Sequence, residues 1–126
     1  MILRQGLHRL GFRYRLHDRR LPGKPDMVFP RYRAVIFAHG CFWHGHSCHL
    51  FKWPSTRGEF WHEKINRNKG LDRLNLSRLE EMGWRIAIVW ECALKGKYRI
   101  SSEEVIGICA QWLESDMPFL EIGGQC

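Results

Sequence analysis

From His39 to Cys48 the chain reads His-Gly-Cys-Phe-Trp-His-Gly-His-Ser-Cys, which places two cysteines, three histidines and an aromatic pair within ten positions. Thiolates and imidazoles at this density suit zinc. Cys41, His46 and Cys48, spaced Cys-x4-His-x-Cys, can wrap one tetrahedral ion from a single tight loop. A closed structural site needs a fourth ligand. Cys92, just past the apolar run ending Val89-Trp90, is the candidate; its alternative is a buried thiol. Four protein ligands would leave zinc no open position, so the ion would staple the loop to a strand and do no chemistry. His39, His44 and His49 are then left over. His44 stands two residues before His46, so an ion there would hold its backbone and support a functional imidazole.

Asp26 follows Leu21-Pro-Gly-Lys-Pro25 and opens the short apolar run Met27-Val28-Phe29. Read alone, it is first of all an aspartate capping the turn after proline. The next strand, however, ends twelve residues later at Ala38-His39. Neighbouring strands would bring the Asp26 carboxylate to the main-chain carbonyl of Ala38 and the imidazole of His39. A carboxylate, a carbonyl and waters suit Mg²⁺. Magnesium charge on a phosphodiester, with a histidine deprotonating water, is a means of hydrolysing it.

These residues need a scaffold. Leu3, Leu7 and Leu10 keep a helical spacing, with Gly11 as the residue past the helix end. Phe12, Tyr14 and Leu16 alternate with Arg13 and Arg15, as in a half-exposed strand. Residues 21–25 turn, 27–29 run apolar, Pro30-Arg31 turns again, and Tyr32 to Ala38 reads as a buried strand. The ligand loop extends to about Ser55. Thr56-Arg-Gly-Glu59 matches a capping box, which predicts a helix start. Phe60, Trp61, Ile65, Leu71, Leu79 and Met82 then roughly keep a helical period, with Asn68-Lys69-Gly70 as a possible kink and Gly83 as the end. Arg85 to Trp90 reads as a central strand. Ser101-Ser-Glu-Glu104 is a second capping box, flanked by the staple pair Ile100 and Val105, and its helix would bury Val105, Ile108, Cys109 and Trp112. Phe119 to Cys126 reads as a loose tail. The order helix, strands, helix, strand, helix implies an α/β architecture with a central mixed sheet flanked by helices.

The 126 residues make one domain, 1–126, with one core. No apolar stretch approaches the roughly 20 residues of a membrane span, and arginines fall where a signal peptide has its apolar centre. The reading is an intracellular, cytoplasmic protein. Five cysteines cannot all pair, which with that compartment argues against a disulfide framework. Cys109 reads as a core thiol, and the terminal Cys126 is given no role. The formal charge is +7 and the pI about 9.5, with Arg13, Arg15, Arg19, Arg20, Lys24, Arg31 and Arg33 crowding the first third. A polyanion partner fits this, against the alternative of a solvated basic face.

The residues just quoted carry a family likeness. The chain resembles the very short patch repair (Vsr) DNA mismatch endonucleases. The likeness rests on Leu21-Pro-Gly-Lys-Pro-Asp26, on Val35 through Cys48, on Glu59-Phe-Trp61 and on Gly83 through Leu94, and it runs in register to about Gly96. It implies a restriction-endonuclease-like fold and a Mg²⁺-dependent enzyme that nicks DNA 5′ of the thymine in T:G mismatches left by 5-methylcytosine deamination. It further implies Asp26 and the main-chain oxygen of Ala38 as Mg²⁺ ligands, and His44 as general base, oriented by Asp72. His39 would contact the scissile phosphate, and Cys41, His46, Cys48 and Cys92 would hold a structural Zn²⁺. Phe42, Trp43 and Trp61 would wedge into the base stack, where a mismatch lowers the unstacking cost. Packing over the zinc loop is the alternative for Phe42-Trp43, and plain core for Trp61. The implied setting is a monomer on bacterial nucleoid DNA, with mismatch-repair proteins as further partners.

Two departures from the family pattern stand out. Relatives begin earlier, with a basic segment and an acid that helps organise the metal-bound water. This chain starts inside that first helix, which implies a shortened N-terminal segment. Ala38 stands where some relatives carry threonine; a backbone carbonyl role tolerates either. The alternatives to the nicking enzyme are a zinc-stabilised module that binds distorted DNA without cutting, and a nuclease of the same fold with another DNA target.

Overall fold

A computed structural model describes residues 2–46, 48 and 52–124. His49 and Cys126 lie outside these. The elements are α1 (Ile2–Arg9), β1 (Arg15–Leu16), β2 (Met27–Phe29), a 3₁₀ turn (Pro30–Tyr32), β3 (Ala34–His39), α2 (Gly58–Glu81), β4 (Arg85–Trp90), α3 (Glu91–Leu94), α4 (Ser102–Leu113) and β5 (Phe119–Ile122). The strands form one sheet in the order β1-β2-β3-β4-β5. β1, β2 and β3 pair antiparallel, whereas β3, β4 and β5 are parallel, so the mixed α/β sheet expected from the element order is present.

Side-chain alternation along β3 and β4 splits the core into two faces. Ala34, Ile36, Ala87 and Val89 face Leu3 and Leu7 of α1 and Val105, Cys109 and Trp112 of α4. Val35, Phe37, Ile86, Ile88 and Trp90 point the other way, toward Leu79 of α2 and Cys41 and Cys92. Burying a leucine or isoleucine fully is worth about 1.5–3 kcal/mol. Leu3, Leu7, Ile36, Ile65, Leu79 and Ile86 are all fully buried, so both helical layers are anchored strongly.

Helix ends follow their local signals in part. Gly11 takes φ +95°, its N–H bonding to His8 O and that of Phe12 to Leu7 O, which closes α1 in a Schellman motif. Gly83, at φ +85°, closes α2 the same way, with Gly83 N–H to Glu80 O and Trp84 N–H to Leu79 O. The Ser101 hydroxyl accepts from Glu104 N–H at 3.2 Å, as its capping box requires.

Four expectations fail. Thr56 does not cap α2: the cap is Arg57 in a left-handed conformation, with no side-chain bond, so the box is a sequence coincidence overridden by the loop. Gly70 does not split α2, which runs unbroken for 24 residues because a lone glycine costs only about 1 kcal/mol. Leu71 and Met82 are exposed, leaving Ile65 and Leu79 as the buried residues of α2. The supposed tail from Phe119 is instead β5, paired with β4 from Ile86↔Phe119 to Val89↔Ile122.

Candidate active site and metal centre

β3 and β4 run side by side and end together, with His39 opposite Trp90. Beyond them the chain supplies Cys41 on one side and Cys92 on the other. The Cys41 N–H donates to Glu91 Oε1 at 3.1 Å, which ties the loop to the start of α3. The sulfurs of Cys41, Cys48 and Cys92 and a ring nitrogen of His46 lie within 4.8 Å of one another. His46 Nδ1 is 3.5 Å from Cys41 Sγ and 3.6 Å from Cys92 Sγ. Zinc bonds of roughly 2.3 Å to sulfur and 2.0–2.1 Å to nitrogen, at a tetrahedral angle, require S···N edges of about 3.5–3.6 Å. Two edges of the cluster thus match a tetrahedral zinc site, and the four residues could hold the ion. Burial pushes the Cys41 thiol up to about 12 and raises Cys92 as well, so buried thiolates here call for the compensating charge of a dication. Burial also lowers His46, favouring the neutral imidazole that ligates.

A cavity of about 210 Å³ opens beside this cluster, and Asp26, Ala38, His39, His44 and Asp72 all line it. Asp26 Oδ2 accepts from the Ala38 N–H at 2.6 Å, so the carboxylate meets the end of β3 at its N–H, where the spacing had pointed to the Ala38 carbonyl. His44 Nδ1 lies 2.6 Å from Asp72 Oδ2. An aspartate carboxylate only accepts, so Nδ1 carries the proton of this contact and Nε2 is turned away from Asp72. Asp72 sits one face of α2 along from Asn68, whose Nδ2 donates to Trp43 O at 2.9 Å, so the helix holds the loop at two points. Between them Gly45, at φ +63°, packs so closely that a Cβ would come within 2.8 Å of Ile65 Cγ2.

The His39 ring stacks on His44, centroids 3.9 Å apart and planes 5° from parallel. His39 is 7% exposed, and its Nδ1 has no hydrogen-bond partner among the described residues. A buried ring nitrogen without a partner calls for one that the described residues do not supply. Burial first, then the charge of His44, lowers His39 to about 4, so the ring is neutral near pH 7.

Phe42, Trp43 and Trp61 come together at the outer end of the loop. Phe42 is 5.3 Å from both tryptophans, and the tryptophans are 5.9 Å apart, all edge to face. Trp43 remains 49% exposed. Trp61 belongs to neither core layer, and the three rings form a partly exposed aromatic prow at the end of the loop. Phe60 joins at 5.1 Å from Trp61, and Lys64 Nζ stands 5.2 Å from the Trp43 ring centre.

The basic stretch divides. Arg20 is clamped on Asp18, and Arg33 donates to Met82 O at 2.6 Å while lying over Trp84. These two are structural, whereas Arg13, Arg15, Arg19 and Lys24 are exposed. Sequence reasoning passed over Lys64, Asn68, Glu91, Trp90 and Glu121. The first two had a signal: Trp61, Lys64, Asn68 and Asp72 recur at helical spacing and share one face of α2. His17 was also missed; its Nδ1 is 3.7 Å from Asp26 Oδ1.

No helix among the described residues is long and apolar enough to cross a membrane. The family model for DNA mismatch endonuclease Vsr matches residues 1–50. The chain is 52% identical over 103 residues to the DNA mismatch endonuclease Vsr of Escherichia coli, covering 82% of this chain and 66% of that protein, just under two thirds of its length. It is 48% identical to the type II nicking enzyme V.XorIIP of Xanthomonas oryzae, covering 73% of this chain and 68% of the relative. It is 46% identical to the type II nicking enzyme V.NmeAIP of Neisseria meningitidis, covering 77% and 69%. With its mixed sheet of the restriction-endonuclease-like kind and a cysteine–histidine cluster fit for zinc, the chain belongs to the Vsr DNA mismatch endonuclease family.

Proposed function

We propose that the chain is a DNA endonuclease that nicks one strand 5′ of the thymine in a T:G mismatch, the lesion that follows deamination of 5-methylcytosine. The observation that carries this reading is the His44–Asp72 pair, 2.6 Å apart, in the cavity that also holds Asp26. A divalent cation, Mg²⁺ by the oxygen character of its ligands, would be held by Asp26 and the Ala38 carbonyl. It would supply positive charge to the scissile phosphate. His44 takes the proton of the attacking water on Nε2, and Asp72 holds the ring in that tautomer. His39, neutral and unpaired on the cavity wall, donates to the phosphate. Cys41, His46, Cys48 and Cys92 would hold Zn²⁺ in a closed, structural site, and the four residues would thereby fix the loop on which His44 rides.

Phe42, Trp43 and Trp61 enter the base stack. Unstacking costs a few kcal/mol, least at a mismatch, so the prow favours T:G over T:A. Arg13, Arg15, Arg19 and Lys24 meet backbone phosphates. The working form is a monomer in the bacterial cytoplasm, and mismatch-repair proteins are its further partners.

The test is a single-turnover assay on end-labelled duplexes carrying one T:G pair in several methyltransferase-type contexts, with T:A controls. Mg²⁺-dependent cleavage 5′ of the mismatched thymine, absent from T:A, is the expected result. Tighter binding to T:G without cleavage would replace the enzyme with a recognition module. Cleavage independent of the mismatch would mean a nuclease with another target.

A further inference from the structure

β5 supplies none of the groups given a role above, yet it forms the wall behind them. Glu121, opposite Ile88 of β4, accepts a hydrogen bond from the Trp90 indole N–H at 2.7 Å. A bond from an indole N–H to a carboxylate is charge-assisted and holds the ring at a fixed angle. Trp90 is buried, and its ring meets three histidines. It lies flat on His46, with centroids 4.0 Å apart and planes 5° from parallel. It meets His39 edge-on at 5.2 Å and His44 at 6.2 Å, both at 72°. One indole thus touches a cluster ligand and both histidines of the cavity. The end of β5 is pinned beside it. The Gly124 N–H donates to Cys92 Sγ at 3.1 Å, and a Cβ at Gly124 would come within 2.6 Å of Cys92 O.

We infer that Glu121 is a positioning residue: by fixing the Trp90 indole it sets the ring planes of His46, His39 and His44. Its catalytic consequence rests on the function proposed above, but the geometric effect does not. Glu121 carries no proton in the reaction and acts only through Trp90.

The test uses the full chain, zinc-loaded and ¹⁵N-labelled, as wild type, Glu121→Leu, Glu121→Gln, Trp90→Phe and Trp90→Phe with Glu121→Leu. Two quantities are read: the imidazole and indole resonances, and the single-turnover nicking rate against duplex affinity. Glu121→Leu is expected to move the Trp90 indole N–H and the resonances of all three imidazoles. It is also expected to slow nicking about tenfold at unchanged duplex affinity, the cost of a slightly misplaced group. Glu121→Gln keeps an acceptor and should restore most of the rate. In the Trp90→Phe background, Glu121→Leu should cost nothing further. Unmoved imidazole resonances, or an undiminished Glu121→Leu effect without the indole N–H, would overturn the inference. Imidazole resonances that move in Glu121→Leu, in a protein whose wild type does not nick, would uphold the positioning role while the proposed activity fell.

Discussion

The parallel pair β3–β4 has two ends, and they are built on opposite terms. At the Arg85 end one side chain is spent entirely on the backbone around it, although the buried Trp112 indole N–H beside it has no partner among the described residues. The Arg85 guanidinium donates to Trp112 O, Met117 O, Tyr32 O and Leu113 O at 2.8–3.3 Å and lies over the Trp112 ring at 4.7 Å. It thereby satisfies the last carbonyls of α4 and complements the negative end of that helix. At the His39–Trp90 end, groups are left unfinished: a His39 Nδ1 without a partner among the described residues, and thiols that burial keeps from ionising. The same two strands thus carry a closed clamp at one end and open chemistry at the other. In open α/β sheets, ligands bind in the crevice beyond the carboxyl ends of the strands, which is the end that carries His39 and Trp90.

Four perturbations break or sharpen this contrast. The largest effect should come from removing the zinc that the cluster is proposed to hold. Stripping the zinc with a chelator, or Cys92→Ser, should cost about 4 kcal/mol or more, because metal affinity here is folding free energy, and the melting temperature should fall by roughly 15 °C. Calorimetry of the metal-loaded and stripped chain measures it; equal melting would mean the cluster is no staple.

Asp72→Asn comes next. It keeps the shape at His44 but replaces an acceptor-only carboxylate by an amide that can also donate, so the charge and the fixed tautomer are lost and nicking should fall about 10²-fold with melting unchanged. A single-turnover time course at saturating protein checks this.

Arg85→Met should do the reverse. It strands carbonyls that lose their donors at about 1–3 kcal/mol each, partly offset by water reaching the exposed ones, for a net loss of about 2–4 kcal/mol. The nicking rate per folded molecule should not move. Urea unfolding alongside active-site titration separates the two quantities.

The smallest effect belongs to Ala38→Thr. If the role of residue 38 is its main-chain carbonyl, a new side chain changes nicking by less than about threefold; a loss beyond about tenfold, some 1.4 kcal/mol, would contradict the carbonyl assignment.

How much of this was legible in the sequence depended on range. Gly11, Gly83 and Ser101 act on hydrogen bonds within a few residues, and each was readable as a helix end or start. The cluster was readable because three of its ligands lie within eight positions and Cys92 follows a strand-like run. Asp72 was not: a polar residue on a long helix looks solvated until the loop folds against that face, and its role came only from the family likeness. β5 was lost entirely, because Phe119–Ile122 has a weak pattern and its pairing with β4 crosses the whole of α4. Losing β5 also hid Glu121. The Thr56–Glu59 box shows the opposite error, a good local signal defeated by the way the aromatic loop enters α2.

The most direct test of the contrast is the single-turnover nicking rate of His44→Ala on a T:G duplex, with zinc content and melting measured on the same sample. General-base removal predicts a rate lower by about 10²–10⁴-fold, with zinc and melting unchanged. A rate within about threefold of wild type would contradict the placement of the chemistry at the His39–Trp90 end of the sheet.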